Sequence, residues 1–215
     1  NAGTINIDME SHAHFIKGFS FGDKSSTLTN TGTIKILGTN FGDGTHVKEP
    51  TLKDTKNAYG MYLNGGEKFA NDGTLIIGVN ALKGVSMGIA AHDAEIANNA
   101  GGKMNITVKA YEQEAFGIDV YGASGCGNNA GTISFDATAG TTDNALARVI
   151  FLRNGGFFAN TGTLDFKLRG TTDSASNADV MAADITGANT KFNNQGLVEI
   201  SGNRTSAGAS GDVLG

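Results

Sequence analysis

Cysteine, proline and tryptophan are nearly missing from this 215-residue chain, which holds one Cys, one Pro and no Trp. A lone Cys126 excludes an intramolecular disulfide framework. Scarcity of proline leaves almost every backbone N–H free to enter a hydrogen-bonded ladder. Basic residues are outnumbered, 16 against 21 acidic, so the net charge is −5 and the pI about 5.3. That balance argues against an electrostatic hold on nucleic acid or on an anionic membrane. No apolar run approaches the roughly 18 to 20 residues of a membrane-crossing helix. The first residues lack the basic-then-apolar pattern of a signal segment. They open inside a repeat, so the chain reads as a piece of something longer.

What is abundant is glycine, 32 residues, within a composition that is 39% hydrophobic and only 17% charged. That is enough apolar material for a core and too little charge for a disordered tail. A short motif recurs along the whole length. It reads NAGTINI from Asn1, NTGTIKI from Asn30, NDGTLII from Asn71, NNAGGKMNI across Asn98 and Asn99, NAGTISF from Asn129, NTGTLDF from Asn160 and NQGLVEI from Asn194. With Asn99 as the fourth start, the spacings are 29, 41, 28, 30, 31 and 34 residues.

A second segment precedes each later copy: GFSF from Gly18, GMYL from Gly60, GIAA from Gly88, GIDV from Gly117, VIFL from Val149 and VMAA from Val180. Both segments alternate with period two, which is the signature of strands with one buried face. Phe19, Met61, Ile89, Ile118, Ile150 and Met181 predict one inward column, and Phe21, Leu63, Ala91, Val120, Leu152 and Ala183 the next. Units this short cannot bury an apolar face alone, so they must stack into one continuous core.

The fold expected is all-β: a single-domain parallel β-helix, or solenoid, over residues 1 to 215, with about seven turns of roughly 30 residues. The corner asparagines Asn1, Asn30, Asn71, Asn99, Asn129, Asn160 and Asn194 are expected to stack as an amide ladder. Gly3, Gly32, Gly73, Gly101, Gly131, Gly162 and Gly196 are expected to supply positive φ at the bends. Leu28, Phe69, Phe158 and Phe192 should fill the bend from inside. Propeller blades and leucine-rich repeats need other periods and offsets.

Repeated N-x-G-T-[IL]-x-[IF] units, abundant Gly and Asn, scarce Cys and Pro, and mild acidity resemble the passenger region of Gram-negative autotransporters, the adhesin and vacuolating-toxin-like proteins of type V secretion. The resemblance covers the whole chain and implies a right-handed β-helix, secreted and displayed at the bacterial surface. It also implies a C-terminal outer-membrane β-barrel in the full-length precursor. Turns near 30 residues are longer than is common in such passengers.

The second turn is about eleven residues longer than the others, and the surplus falls within residues 37 to 58. This stretch carries the only proline, Pro50, with His46, Lys48, Glu49, Lys53, Asp54 and Lys56. A protruding loop on a rigid scaffold is a place for binding residues, and equally a place where extra length is tolerated. Asp8, Glu10, His12 and His14 sit at every second position, either as candidate metal ligands or as the wet face of the first strand. Asp165 and Glu199 fall on adjacent turns, as a paired-carboxylate glycosidase site would require or as plain surface charge. An outward column reads Ser20, Tyr62, Ala90, Asp119, Phe151 and Ala182, with its two aromatics too far apart for one platform. Cys126 lies among glycines with no basic neighbour and reads as a small buried residue.

None of the standard catalytic or phosphate-binding motifs is present, and neither a cofactor nor a metal is expected. The function expected is adhesive: a displayed segment that binds a host protein or glycan, or like molecules, through its side faces and its loop. The alternatives are the receptor-binding scaffold of a secreted toxin, or a polysaccharide-cleaving β-helix enzyme. Open strand edges at both ends predict end-to-end association, or disorder over residues 201 to 215.

Overall fold

The computed structural model describes residues 1–12, 15–21, 25–42, 56–140, 145–170, 179–204 and 213–214, with only the backbone described at 203–204 and 213–214. Its elements are strands throughout, three to a turn. In chain order, the first-sheet strands are β1 (Thr4–Ser11), β4 (Thr33–Asn40), β7 (Thr74–Ala81), β10 (Lys103–Ala110), β13 (Thr132–Ala139), β16 (Thr163–Gly170) and β19 (Leu197–Arg204). The second sheet holds β2 (Ile16–Ser20), β5 (Ala58–Asn64), β8 (Ser86–His92), β11 (Glu114–Tyr121), β14 (Leu146–Arg153), β17 (Asp179–Thr186) and β20 (Val213–Leu214). The third holds β3 (Thr27–Asn30), β6 (Lys68–Asn71), β9 (Glu95–Asn98), β12 (Cys126–Asn129), β15 (Phe157–Asn160) and β18 (Lys191–Asn194). Every pairing is parallel and in register with the same strand one turn on, so the chain is a parallel β-helix. Strand β19 continues to Arg204, into the stretch 201 to 215 for which disorder is one of the two outcomes expected from open strand edges.

The core fills the space between the three sheets. Ile34, Ile36, Leu75, Ile77, Met104, Ile106, Ile133, Phe135, Leu164 and Phe166 point inward from the first sheet and are buried. They occupy alternate positions because successive side chains on a strand face opposite ways. Phe69 and Phe158 fill the third-sheet side as expected, and both are buried. Between them on the stack, Gly127 leaves the room: a Cβ there would lie 2.3 Å from Phe158 Cδ2.

The corner between the third and first sheets carries the asparagine column, with one correction. Asn98, not Asn99, is the fourth member: Asn71 Nδ2 donates to Asn98 Oδ1 at 2.9 Å, and Asn98 Nδ2 to Asn129 Oδ1 at 2.8 Å. The ladder spacings on either side are therefore 27 and 31 residues. Asn99 lies outside the column and instead donates to Asp72 Oδ1 on the surface. Asn30, Asn71, Asn98, Asn129 and Asn160 are essentially inaccessible to solvent, and a buried amide must be satisfied at both ends.

The corner glycines are there for a different reason from the one the sequence suggested. Gly3, Gly32, Gly73, Gly131, Gly162 and Gly196 do not have positive φ. From Gly32 onward they are packed too tightly for any side chain: a Cβ on Gly32 would sit 2.1 Å from Gly3 O, and one on Gly73 2.1 Å from Gly32 O, whereas one on Gly3 would meet only Asn1 Oδ1, at 3.9 Å. At the fourth corner this position is held by Gly102, whose carbonyl accepts from Thr132 N at 3.0 Å. Gly101 is the added residue of that looser corner, and it alone among the seven has positive φ, +88°.

In the second sheet the alternation slips by one residue. The register passes from Tyr59↔Met87 to Met61↔Ile89 and skips the column Gly18, Gly60, Gly88 and Gly117. A Cβ on Gly88 would meet Gly117 O at 2.5 Å and Ile106 Cγ2 at 2.5 Å, so bare backbone is needed there. The register also corrects the last copy: Ile150 pairs with Ala183 and Phe151 with Asp184, so the sixth unit lies two residues from the expected alignment. Met181 instead pairs with Arg148.

Candidate binding face

The slip at the glycine column has a chemical result. It turns Lys17, Tyr59, Met87, Phe116 and Arg148 out of the core and sets them beside the outward column Ser20, Tyr62, Ala90, Asp119, Phe151 and Asp184. A third outward column follows with Asn64, His92, Tyr121 and Arg153. Three residues wide and several turns long, this outer face carries its own small apolar cluster of Met87, Ala90 and Phe116, flanked by Tyr59, Tyr62, Val85 and Phe151.

Its rings form a connected series. Tyr59 meets Tyr62 edge-on at 5.5 Å between centroids, Tyr62 meets His92 at 5.5 Å, and His92 meets Tyr121 at 5.4 Å. Phe116 stacks on Phe151 at 5.2 Å. Tyr62 and Phe151, which the sequence placed too far apart, are bridged by the rings and cations between them. Arg153 joins the two series, its guanidinium 4.9 Å from the Tyr121 ring and 5.2 Å from that of Phe151.

At the centre lies Asp119, with no accessible surface. Arg153 donates from Nε to Oδ1 at 3.1 Å and from Nη2 to Oδ2 at 2.8 Å, while His92 Nε2 lies 3.1 Å from Oδ2. A carboxylate only accepts, so the hydrogen in the last contact belongs to His92. Burial pushes the Asp119 carboxyl up, but the hydrogen bonds and charges of His92 and Arg153 outweigh it and hold the group below the usual carboxylate range. The same pairing raises Arg153. Toward the far end, Arg148 pairs with Glu114 and lies 2.7 Å from Asp184 Oδ2, though its Nε is not aligned for a hydrogen bond. Burial, with Tyr59 and Glu67 nearby, pushes the Tyr62 phenol up.

The other candidates fall elsewhere. His46, Lys48, Glu49, Lys53 and Asp54 lie outside the described residues. Lys56 is at the base of the insertion, where Nζ donates to Gly42 O at 2.6 Å. Glu10 and His12 come within 3.2 Å of each other, and His12 also stacks on Phe41 at 4.8 Å, while His14 lies outside the described residues. Among the described residues no three His, Cys, Asp or Glu side chains converge on a metal position. Asp165 and Glu199 are register partners on β16 and β19, as the sequence spacing suggested. Cys126 is half-buried and accepts from Asn128 Nδ2 at 3.3 Å; burial pushes its thiol up.

No family model matches the chain, and no curated protein or solved structure matches it.

Proposed function

We propose that this chain is part of a surface-displayed passenger that acts as an adhesive rod, binding host or neighbouring-cell molecules through the outer face of the second sheet. The observation that supports this reading is the arrangement of that face: aromatic rings and paired ions sit side by side over successive turns, half-open to solvent. The acid at its centre is closed off, which suits a binding surface better than a catalytic one. Shallow contacts repeated along a rod give weak affinity per site and avidity from many copies. A C-terminal barrel in the precursor and secretion to the cell surface belong to the same proposal.

The test is attachment of particles coated with the chain to host cells and to each other, for the wild type, for Phe151→Ser, and for a form with residues 43 to 55 replaced by a short linker. Loss of attachment in Phe151→Ser with circular dichroism unchanged supports the face. Loss only in the shortened form moves the function to the insertion, and no attachment by the wild type to either target sinks the proposal. Alternating amphipathic strands beyond residue 215 in the complete precursor would support the passenger reading.

A further inference from the structure

At the β2 end of this face three rings surround one cation. Lys17 Nζ lies 4.1 Å from the ring centroid of Tyr62, 5.0 Å from that of Phe15 and 5.6 Å from that of Tyr59. All three distances fall within cation–π range. Two of the walls are fixed from behind. The Tyr59 hydroxyl accepts from Asn57 Nδ2 at 3.1 Å, and Asn57 Oδ1 in turn accepts from Val85 N at 3.0 Å. The Tyr62 ring is wedged edge-on between Tyr59 and His92, at 76° and 74°. The third wall, Phe15, is 47% exposed and forms the open side.

A primary ammonium is compact and strongly hydrated, and Lys17 reaches the rings on a flexible four-carbon stem. A trimethylammonium group is bulkier and weakly hydrated, so it gains from the same rings and loses less water in reaching them. We propose that Phe15, Tyr59 and Tyr62 form a cage for the quaternary ammonium of a phosphocholine headgroup. Lys17 is the resident cation, which the ligand displaces, and it remains tethered close by to pair with the phosphate. The cage lies on the face proposed above as the binding surface and rests on that reading.

The test titrates the whole chain with phosphocholine, choline and inorganic phosphate, read by calorimetry or by tyrosine fluorescence, for which the absence of tryptophan gives a clean background. Phosphocholine is expected to saturate, choline more weakly, and phosphate not at all. Tyr62→Leu should weaken phosphocholine about tenfold or more. Should that variant unfold, Phe15→Ala removes the exposed wall instead and should also weaken binding. Lys17→Met should tighten choline and abolish the preference for phosphocholine over choline. Failure of phosphocholine to saturate overturns the proposal, as does phosphate binding equally well, or unchanged binding in both ring variants. Retention on phosphatidylcholine vesicles but not phosphatidylglycerol ones marks a lipid surface as the source; soluble binding without vesicle retention marks a phosphocholine-bearing glycan, and both support the cage. Loss of cell attachment in Phe151→Ser with no phosphocholine binding would leave the face and remove the cage alone.

Discussion

Arg153 holds Asp119 with two hydrogen bonds from the neighbouring turn, Nε to Oδ1 and Nη2 to Oδ2, and covers a carboxylate that has no contact with water. Removing the acid leaves a guanidinium without its partner. Breaking a buried pair costs about 3 to 5 kcal/mol, and because Arg153 is one-third exposed the expected loss for Asp119→Asn is smaller, about 2 kcal/mol. Denaturant midpoints measure it, and a loss under about 0.5 kcal/mol would show the pair to be an ordinary surface ion pair.

The same pair sets a pH dependence. The folded Asp119 carboxyl titrates below its unfolded value of about 3.9, so its contribution is fully present above that pH and is lost as pH falls through the folded value. Melting temperatures of the wild type and Asp119→Asn should therefore be well separated at pH 6 and converge below about pH 4. Curves that stay parallel to pH 2 would contradict the assignment.

Asn98→Ala and Asn99→Ala should separate sharply although the residues are adjacent. The first removes two ladder bonds and leaves the buried Oδ1 of Asn129 without its donor, costing about 2 to 3 kcal/mol. The second loses one exposed bond to Asp72 and should stay within about 0.5 kcal/mol. Equal effects in urea melts would restore Asn99 to the column.

Alanine at Gly73 and at Gly101 separates close packing from backbone conformation. At Gly73 the new Cβ meets backbone on the preceding turn at 2.1 Å, and the sheets must part. At Gly101 nothing lies within 4 Å, and the cost is the positive φ alone, about 1 kcal/mol. Gly73→Ala should lower the melting temperature several times more than Gly101→Ala. The reverse order would return the corner glycines to a conformational role.

The solenoid was legible because Asn, Gly and the apolar columns repeat at fixed offsets, and each offset maps to one physical demand: an amide to chain, a bare backbone to stack, a side chain to bury. The outer face of the second sheet was not. Strict alternation places Lys17, Tyr59, Met87 and Phe116 inside, and only the slip at Gly60, Gly88 and Gly117 turns them out. The signal was present in the sequence: Lys17 and Arg148 at positions that alternation assigns to an apolar core could not have stayed there unpaired. The fourth corner was misplaced because NNAGG offers two asparagines and two glycines, and spacing alone cannot choose between them. In the outward column read from the sequence Asp119 has no charged neighbour, because its partners His92 and Arg153 lie one column away and one turn to either side.

From Asn1 to Asn194 each ladder amide donates from Nδ2 to the Oδ1 of the following turn, and none runs the other way. The small dipoles of these groups therefore add along the rod axis, and each polarises the next. The column behaves as a vector, with its N–H ends aimed toward the later turns. Aspartate cannot donate and serine cannot span the gap, so a single such replacement would split one long aligned array into two shorter ones.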